Sequence, residues 1–330
     1  TELKQSPTEI PAVAEKIIQW YDKSGRHLPW RELRNPYAIW LSEVILQQTR
    51  VEQGRSYWER FLQELPTVED LAAASDTQIK GLWSGLGYYR RADLLHRGAK
   101  QIARTGWPQG TKEWLEVPGI GPYTAAALAS IVDGEVVPAL DGNAFRVYSR
   151  LADWSEPIET SRSKAFIYSL ALNFVHPKRP GDFNQAVMDL AQALCTPKKP
   201  KCNECPVQEL CAARSAGSAE LRPVKTRTLK VTEQDLHFAV PRRGHQFGLV
   251  QRPLGGIWSG LYTLPELATV PPGFTPQVLD HRLSHRKLRV HFYPEFEGSS
   301  EPEIWLTREE WSKRGMPQAF VHWLTKFPYI

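Results

Sequence analysis

The stretch CTPKKPKCNECPVQELC, residues 195–211, decides the fold of this 330-residue chain. It contains all four cysteines, separated by six, two and five residues. Four thiolates this close together can surround one metal centre, either a zinc ion or an iron–sulfur cluster. No signal peptide and no apolar run of bilayer length is visible in the sequence. We therefore expect a cytoplasmic protein, beside the nucleoid if bacterial, whose cysteines bind metal instead of forming disulfides.

Length and composition indicate a globular protein of two domains. At roughly 100–200 residues per domain, 330 residues suffice for two. Hydrophobic residues make up 42% and charged residues 23% of the chain, which excludes wholesale disorder. The net charge of +5 is too small to identify a partner, so nucleic-acid binding would need basic residues clustered on one face.

Helical periodicity dominates residues 1–214, and this pattern of apolar residues ends after residue 214. The predicted helices begin with 8–21 and with a helix opened by Pro36, and continue at about 53–64, 67–74, 76–84, 89–104, 111–116, 122–133, 142–152, 161–175 and 182–194. Residues 215–230 are predicted to be a basic flexible linker. Residues 231–330 are predicted to form a smaller α+β domain, with strands at 247–250 and 288–293.

The segment VPGIGPYTA, residues 117–125, lies between two predicted helices. Gly119 and Gly121 leave backbone amides free and permit the close approach of a phosphate. A plain tight turn between helices explains the glycines equally well. Asp141 follows Gly121 by 20 residues, where its carboxylate is suited to cap the next helix.

The cysteine spacing resembles the iron–sulfur loop of the endonuclease III-like DNA glycosylases, and residues 113–133 resemble their helix-hairpin-helix. The segments at 28–31 (LPWR), 42–51 (SEVILQQTRV), 85–89 (GLGYY) and 183–186 (FNQA) resemble adenine DNA glycosylases of the MutY family. The resemblance implies a mainly α catalytic region followed by a smaller Nudix-like α+β domain. It also implies a [4Fe–4S] cluster bound by four ligands, Cys195, Cys202, Cys205 and Cys211.

The resemblance further implies how the reaction proceeds. Glu43 would protonate adenine, Asp141 would stabilise the sugar oxocarbenium or a covalent intermediate, and Tyr123 and Asn143 would position these groups. Independently, the helix face that carries Glu43 also carries Trp40 and is mainly apolar, which predicts a raised carboxyl pKa. An ordinary solvated glutamate is the alternative. The lyase branch of the superfamily has a lysine at the position of Tyr123, and a phenol cannot form a Schiff base.

Other residues are assigned to DNA by the same resemblance. The adenine pocket would be lined by Arg26, Trp30, Arg31, Leu46, Val51 and Gln185. The duplex would be contacted by Gln48, Thr49, Leu86, Tyr88, Gly119 and Gly121. Ser284 and His285 would recognise 8-oxoguanine, although Leu283 replaces the phenylalanine that this loop has in the family. The acidic Nudix box is absent, so pyrophosphate hydrolysis is not expected.

These features predict a monomeric, monofunctional DNA glycosylase of base excision repair. Its substrate would be double-stranded DNA with adenine opposite 8-oxoguanine or guanine, and no membrane would take part. One alternative is an endonuclease III-like pyrimidine glycosylase with lyase activity at abasic sites. Another is a non-catalytic iron–sulfur sensor of DNA damage.

Overall fold

The computed structural model describes residues 9–226, 231–253, 255–270, 272–283, 286–294, 296 and 301–328. Its α-helices are α1 Glu9–Ser24, α2 Pro36–Ile45, α3 Val51–Glu64, α4 Val68–Ala73, α5 Asp76–Leu82, α6 Arg90–Thr105, α7 Gly110–Leu115, α8 Pro122–Leu128, α9 Gly142–Leu151, α10 Ser161–Phe174, α11 Pro180–Ala193, α12 Ala212–Ser215, α13 Arg308–Lys313 and α14 Gln318–Lys326. Its strands are β1 Thr232–Ala239, β2 Arg242–Arg243, β3 Gln246–Gln251, β4 Tyr262–Thr263, β5 Gln277–Arg282, β6 Arg286–Tyr293 and β7 Ile304–Thr307. Helices α1 to α12 precede the strands, and α13 and α14 follow them. This order confirms the predicted mainly α region followed by a smaller α+β region. No helix within the described ranges is both long and apolar enough to span a bilayer.

The helix predicted over 122–133 differs in the structure. It remains α-helical only to Leu128, and Ala129–Asp133 forms a π-helical turn. The turn ends at Gly134, whose φ of 72° is left-handed and whose main chain stops the helix. Side-chain periodicity does not distinguish a π-turn from the end of an α-helix.

The chain forms two compact units, and the first combines residues 1–43 with 105–228. Its core lies among α1, α9, α10 and α11. Apolar side chains from each helix, such as Ile17, Val147, Leu170 and Phe183, are at most 2% exposed. Burying side chains of this size stabilises the fold by about 1.5–3 kcal/mol each.

Asn184 on α11 holds the segment that leads to Asp141. Its Oδ1 accepts a hydrogen bond from the Ala139 amide at 3.0 Å. Its Nδ2 donates to the Val137 carbonyl and to Ser130 Oγ, both at 2.9 Å. Asn184 is 4% exposed, so water cannot replace these partners. The extended segment before α9 therefore depends on one buried amide.

The second unit combines residues 44–104 with 229–330. Strand β6 lies between β1, to which it is parallel, and β5, to which it is antiparallel. Strand β3 pairs antiparallel with β2, β4 and β7. A core that includes Phe238, Phe292, Trp311 and Trp323 packs these strands against α13 and α14.

Two glycines allow close contact inside this second unit. A Cβ on Gly81 would lie 2.5 Å from the Lys313 carbonyl oxygen, and one on Gly315 would lie 2.9 Å from Cε1 of Tyr89. The Tyr89 hydroxyl donates to the Met316 carbonyl at 2.9 Å. Helices from 44–104 thus pack directly on the C-terminal region. The domain boundaries predicted at 214 and 230 remain a prediction.

Replacing Asn184 by Ala is expected to destabilise the protein by about 2 kcal/mol, because buried backbone groups at 137 and 139 would lose their partners. Urea unfolding followed by circular dichroism measures the change. Ser169→Ala, at an exposed position of α10, serves as the control and is expected to be near neutral. Equal midpoints for the two variants would contradict the anchoring role.

Candidate active site and metal centre

The predicted hairpin is present between α7 and α8. Gly119 has a φ of 85°, a conformation that L side chains rarely adopt. The Ile120 amide donates to the Val117 carbonyl and closes the turn. Gly121 is the N-cap of α8, and a Cβ added there would meet nothing within 4 Å. Gly119 is therefore required by the turn itself, whereas Gly121 leaves space for an external group.

Glu43 lies in the last turn of α2, with partial exposure. Desolvation raises the pKa of its carboxyl from 4.5 to about 7, and the positive charge of Arg31 opposes the rise. A carboxyl with this pKa carries a proton in about half of the molecules at neutral pH. The apolar surroundings predicted from the sequence thus have the expected effect on its chemistry.

Asp141 caps α9 with its side chain. Its Oδ1 accepts from the Asn143 and Ala144 amides, both at 2.8 Å, and its Oδ2 accepts from Asn143 Nδ2 at 2.8 Å. Asp141 and Asn143 keep partial exposure. The cap fixes the carboxylate in one orientation and leaves it accessible. The capping role and a role in chemistry are therefore compatible.

Tyr123 on α8 lies close enough to Glu43 and Asp141 for their negative charges to affect its pKa. Burial raises the pKa of its phenol well above 10, and the negative charges of Glu43 and Asp141 add to the rise. The nearby Arg31 opposes it. The hydroxyl stays protonated at neutral pH, so Tyr123 can donate a hydrogen bond to an anion. In the first unit, Tyr123 is thus electrostatically coupled to both predicted acidic residues.

Arg26 and Arg31 bind a residue that sequence reasoning missed, Asp189 on α11. The Asp189 side chain is 2% exposed and lies 2.7 Å from each guanidinium. The Arg26 amide also donates to it at 2.9 Å. These contacts hold the pKa of Asp189 below its usual range, although burial opposes the decrease. The sequence pattern gave no signal for Asp189, because it lies more than 150 residues from its partners.

The remaining residues of the predicted adenine pocket are divided between the units. Trp30 is 5% exposed in the 3-10 turn Pro29–Arg31, and Gln185 is partly exposed on α11. Leu46 and Val51 belong to the second unit, where Leu46 packs against Gly54 of α3.

In the second unit, Arg91 joins two loops predicted to contact DNA. Its guanidinium donates to the Ile45 carbonyl at 3.0 Å, to the Gln47 carbonyl and to Thr49 Oγ1 at 3.2 Å. It also lies 5.6 Å from the ring centroid of Tyr88. Burial lowers the pKa of Arg91 to about 10, which still leaves it charged. Sequence reasoning missed this residue.

Both loops contain a residue with left-handed backbone. Gln48 has a φ of 58° and Tyr88 a φ of 49°. Both side chains are exposed, Tyr88 to 44%. Leu86, in contrast, is 7% exposed. The turns thus present Gln48 and Tyr88 to solvent.

A cleft of about 810 Å³ in the second unit is lined by the 85–90 loop and the C-terminal region. Leu86, Tyr88 and Trp258 give it apolar surface, and His322 of α14 lies in its wall. Three arginines line it, Arg90, Arg282 and Arg286, and none of its described lining residues is acidic. Leu283 also lines it, whereas Ser284 and His285 lie outside the described residues.

The four cysteines surround one small cavity and are unpaired. Cys195 follows α11, Cys202 begins a 3-10 turn, and Cys211 is the N-cap of α12. Within the described ranges, no three His, Cys, Asp or Glu residues meet at the spacing of a single ion. A cavity lined by four cysteine thiols offers the ligand set of an iron–sulfur cluster.

Burial raises the pKa of the Cys205 thiol to about 12, and neighbouring cysteines add to the rise. Burial raises the pKa of Cys211 as well. Thiolates that lie together in a buried site need a compensating positive charge, which the iron of a cluster would supply. Two arginines of α9 support the loop from inside. Arg146 Nε donates to the Cys195 carbonyl at 2.8 Å, and Arg150 Nη1 lies 3.2 Å from Cys195 Sγ.

Comparison with known proteins agrees with this geometry. Residues 41–167 match the profile of the HhH-GPD superfamily of base excision DNA repair proteins. Residues 195–211 match the iron-sulfur binding domain of endonuclease III. A thermostable thymine-DNA glycosylase structure covers 63% of this chain and 98% of its own, at 26% identity and a TM-score of 0.56. An endonuclease III–DNA complex, at 17% identity and a TM-score of 0.53, shares the fold.

Relatives named adenine DNA glycosylase extend the match. The Arabidopsis thaliana protein is 35% identical over 79% of this chain, which spans 48% of that relative. A protein of Buchnera aphidicola subsp. Baizongia pistaciae is 30% identical, with 76% of this chain and 73% of the relative covered. The protein of the Schizaphis graminum subspecies is 28% identical over 94% and 96%. The chain spans about half the length, or less, of several other relatives. With the hairpin, the cysteine loop and these relatives together, the chain belongs to the adenine DNA glycosylase family.

Proposed function

We propose that the protein hydrolyses the N-glycosidic bond of adenine in duplex DNA. The observation that carries the proposal is the half-protonated Glu43, with Tyr123 coupled to it and to Asp141. Departure of a purine needs a proton donor for the base and a negative charge for the sugar cation. This part of the first unit supplies both. The names of the relatives favour adenine as the base.

In the proposed mechanism, Glu43 donates its proton to N7 of adenine and makes the base a better leaving group. The Asp141 carboxylate, fixed by the amides of α9, then stabilises the oxocarbenium-like sugar or bonds to it. Asn143 holds the second oxygen of that carboxylate. Water completes hydrolysis, and Glu43 is reprotonated from solvent.

The lyase alternative requires an amine at position 123, where the chain has a partly buried tyrosine. Single-turnover release of adenine from a duplex tests the main proposal. A Schiff-base adduct trapped by borohydride would instead support the pyrimidine glycosylase alternative. Tight binding of duplex DNA without release of any base would support a sensor.

We propose further that the second unit recognises the base opposite adenine, namely 8-oxoguanine or guanine. The cleft supports this proposal, since it has aromatic side chains, three arginines and no described acid. Such a lining suits a nucleotide, which has an apolar face and a negatively charged backbone. Gln48 and Tyr88, exposed on left-handed turns, are suited to enter the duplex once the adenine has left the stack.

Glu43→Gln is expected to lower the single-turnover rate by about a hundredfold to ten-thousandfold, because an amide cannot protonate N7. In the wild type the rate should fall about tenfold per unit above pH 7, as the raised pKa of Glu43 is passed. Unfolding is not expected to cause this loss. Because folding raises the pKa of Glu43 from 4.5 to about 7, the free energy of unfolding of the wild type decreases as the pH rises between these values. Glutamine does not ionise, so the variant should be at least as stable as the wild type at pH 8. A flat pH profile in the wild type would contradict the general-acid role.

Asp141→Asn is expected to lower the rate by about a hundredfold to a thousandfold while the protein remains folded. Asparagine caps helices as well as aspartate does, so α9 keeps its first turn. Thermal unfolding and single-turnover kinetics on the same sample separate the two effects. A variant that unfolds at a much lower temperature, with its rate scaling with folded fraction, would contradict the electrostatic role.

A duplex panel with adenine opposite 8-oxoguanine, guanine, cytosine and thymine tests recognition of the opposite base. The wild type is expected to act fastest opposite 8-oxoguanine. His322→Ala, in the cleft wall, should reduce the preference for 8-oxoguanine over guanine severalfold, with little change opposite guanine. Thr325→Ala, exposed on the same helix, is the matched control. Equal losses on every duplex would contradict a role in discrimination.

A further inference from the structure

Arg150 is a buried cation beside the cysteine loop. It lies in the last turn of α9, is 2% exposed and lines the cavity that the four cysteines surround. Every polar partner that the structure gives its side chain is a carbonyl oxygen or a sulfur atom. Nη1 donates to the Thr196 carbonyl at 2.7 Å, Nη2 to the Pro197 carbonyl at 3.1 Å and Nε to the Arg222 carbonyl at 3.1 Å.

Arg150 also contacts two of the four cluster ligands. Its Nη1 donates to Cys195 Sγ at 3.2 Å, and its backbone carbonyl oxygen lies 3.4 Å from Cys211 Sγ. A buried guanidinium is costly unless a negative charge lies nearby. Four thiolates around a [4Fe–4S]2+ core carry a net charge of about −2, which supplies that charge.

We propose that Arg150 raises the reduction potential of the iron–sulfur cluster through its hydrogen bond to Cys195 Sγ. The couple is [4Fe–4S]3+ plus one electron giving [4Fe–4S]2+. The reduced form carries one more negative charge on the same ligands. A hydrogen bond from a cation therefore stabilises the reduced form more than the oxidised form. The consequence is a cluster that resists oxidation, and with it the loss of iron.

A purely structural role is the competing explanation, since the same guanidinium holds three carbonyl groups of the loop and its surroundings. That role predicts less cluster per protein, with an unchanged potential for the clusters that remain. Arg214 provides a matched control, because it lines the same cavity but, within the described part of the chain, donates to the Gln208 carbonyl and Asn203 Oδ1, each at 3.5 Å, and not to sulfur. Loss of its charge tests the effect of a nearby cation without the bond to sulfur.

The test is protein-film voltammetry of the iron-loaded wild type, Arg150→Gln, Arg150→Lys and Arg214→Gln, with the electrode as electron donor. Iron content and visible absorption normalise each signal per cluster. Arg150→Gln is expected to shift the couple at least tenfold toward the oxidised form, which is 59 mV for one electron. Arg150→Lys keeps the charge on a shorter side chain and should fall between this variant and the wild type. Arg214→Gln should shift the couple less than threefold.

An unchanged potential in Arg150→Gln, or an equal shift in Arg214→Gln, would overturn the proposal. If Arg150→Gln binds no iron, Arg150→Lys decides: a couple shifted at least threefold toward the oxidised form supports the proposal, and a wild-type value overturns it. The rate of iron loss on oxidation by ferricyanide should follow the same order. The proposal rests on the cofactor alone, so its outcome is independent of whether adenine is the base released.

Discussion

The rest of the candidate site depends on the carboxylate of Asp141 and the hydrogen bonds that hold it. Two backbone amides at the start of α9 fix one oxygen, and Asn143 fixes the other. A carboxylate held in this way needs no reorganisation when positive charge develops nearby, which is the basis of electrostatic catalysis. The same helix contacts the cysteine loop, because Asn143 Oδ1 accepts from Arg146 and Arg146 donates to the Cys195 carbonyl. One helix therefore joins the predicted catalytic residue to the metal-binding loop.

The pKa of Glu43 reflects a balance in which a more distant residue takes part. Arg31 lowers that pKa, whereas burial raises it. The Arg31 guanidinium is itself shared with the buried Asp189, which also binds Arg26. The two hydrogen bonds from Arg31 to Asp189 hold the guanidinium in place, so Asp189 helps to set where the positive charge near Glu43 lies.

The parts of the molecule that were predicted from the sequence are those governed by local chemistry. Cysteine spacing, the left-handed Gly119 and the N-cap at Asp141 each depend on a few neighbouring residues, and each is present. Asp189 and Arg91 were not predicted from the sequence. Asp189 binds two arginines that are distant in sequence, and Arg91 binds backbone carbonyls, which any residue type can supply. The grouping of 44–104 with the C-terminal region depends on complementary surfaces at Gly81 and Gly315, which no periodicity reveals.

Two exposed turns of the second unit contain strained backbone. Left-handed conformations at Gln48 and Tyr88 cost about 1 kcal/mol or more each and persist only where surrounding contacts enforce them. Arg91 supplies such contacts, because it binds three carbonyls before Gln48 and packs beside the Tyr88 ring. Arg91 therefore stabilises the two left-handed turns, and it does not itself need to reach DNA. Two exposed side chains held in place before binding lose less entropy on entering a duplex than mobile ones would. Rigid turns supported from behind thus suit a surface that must separate stacked bases.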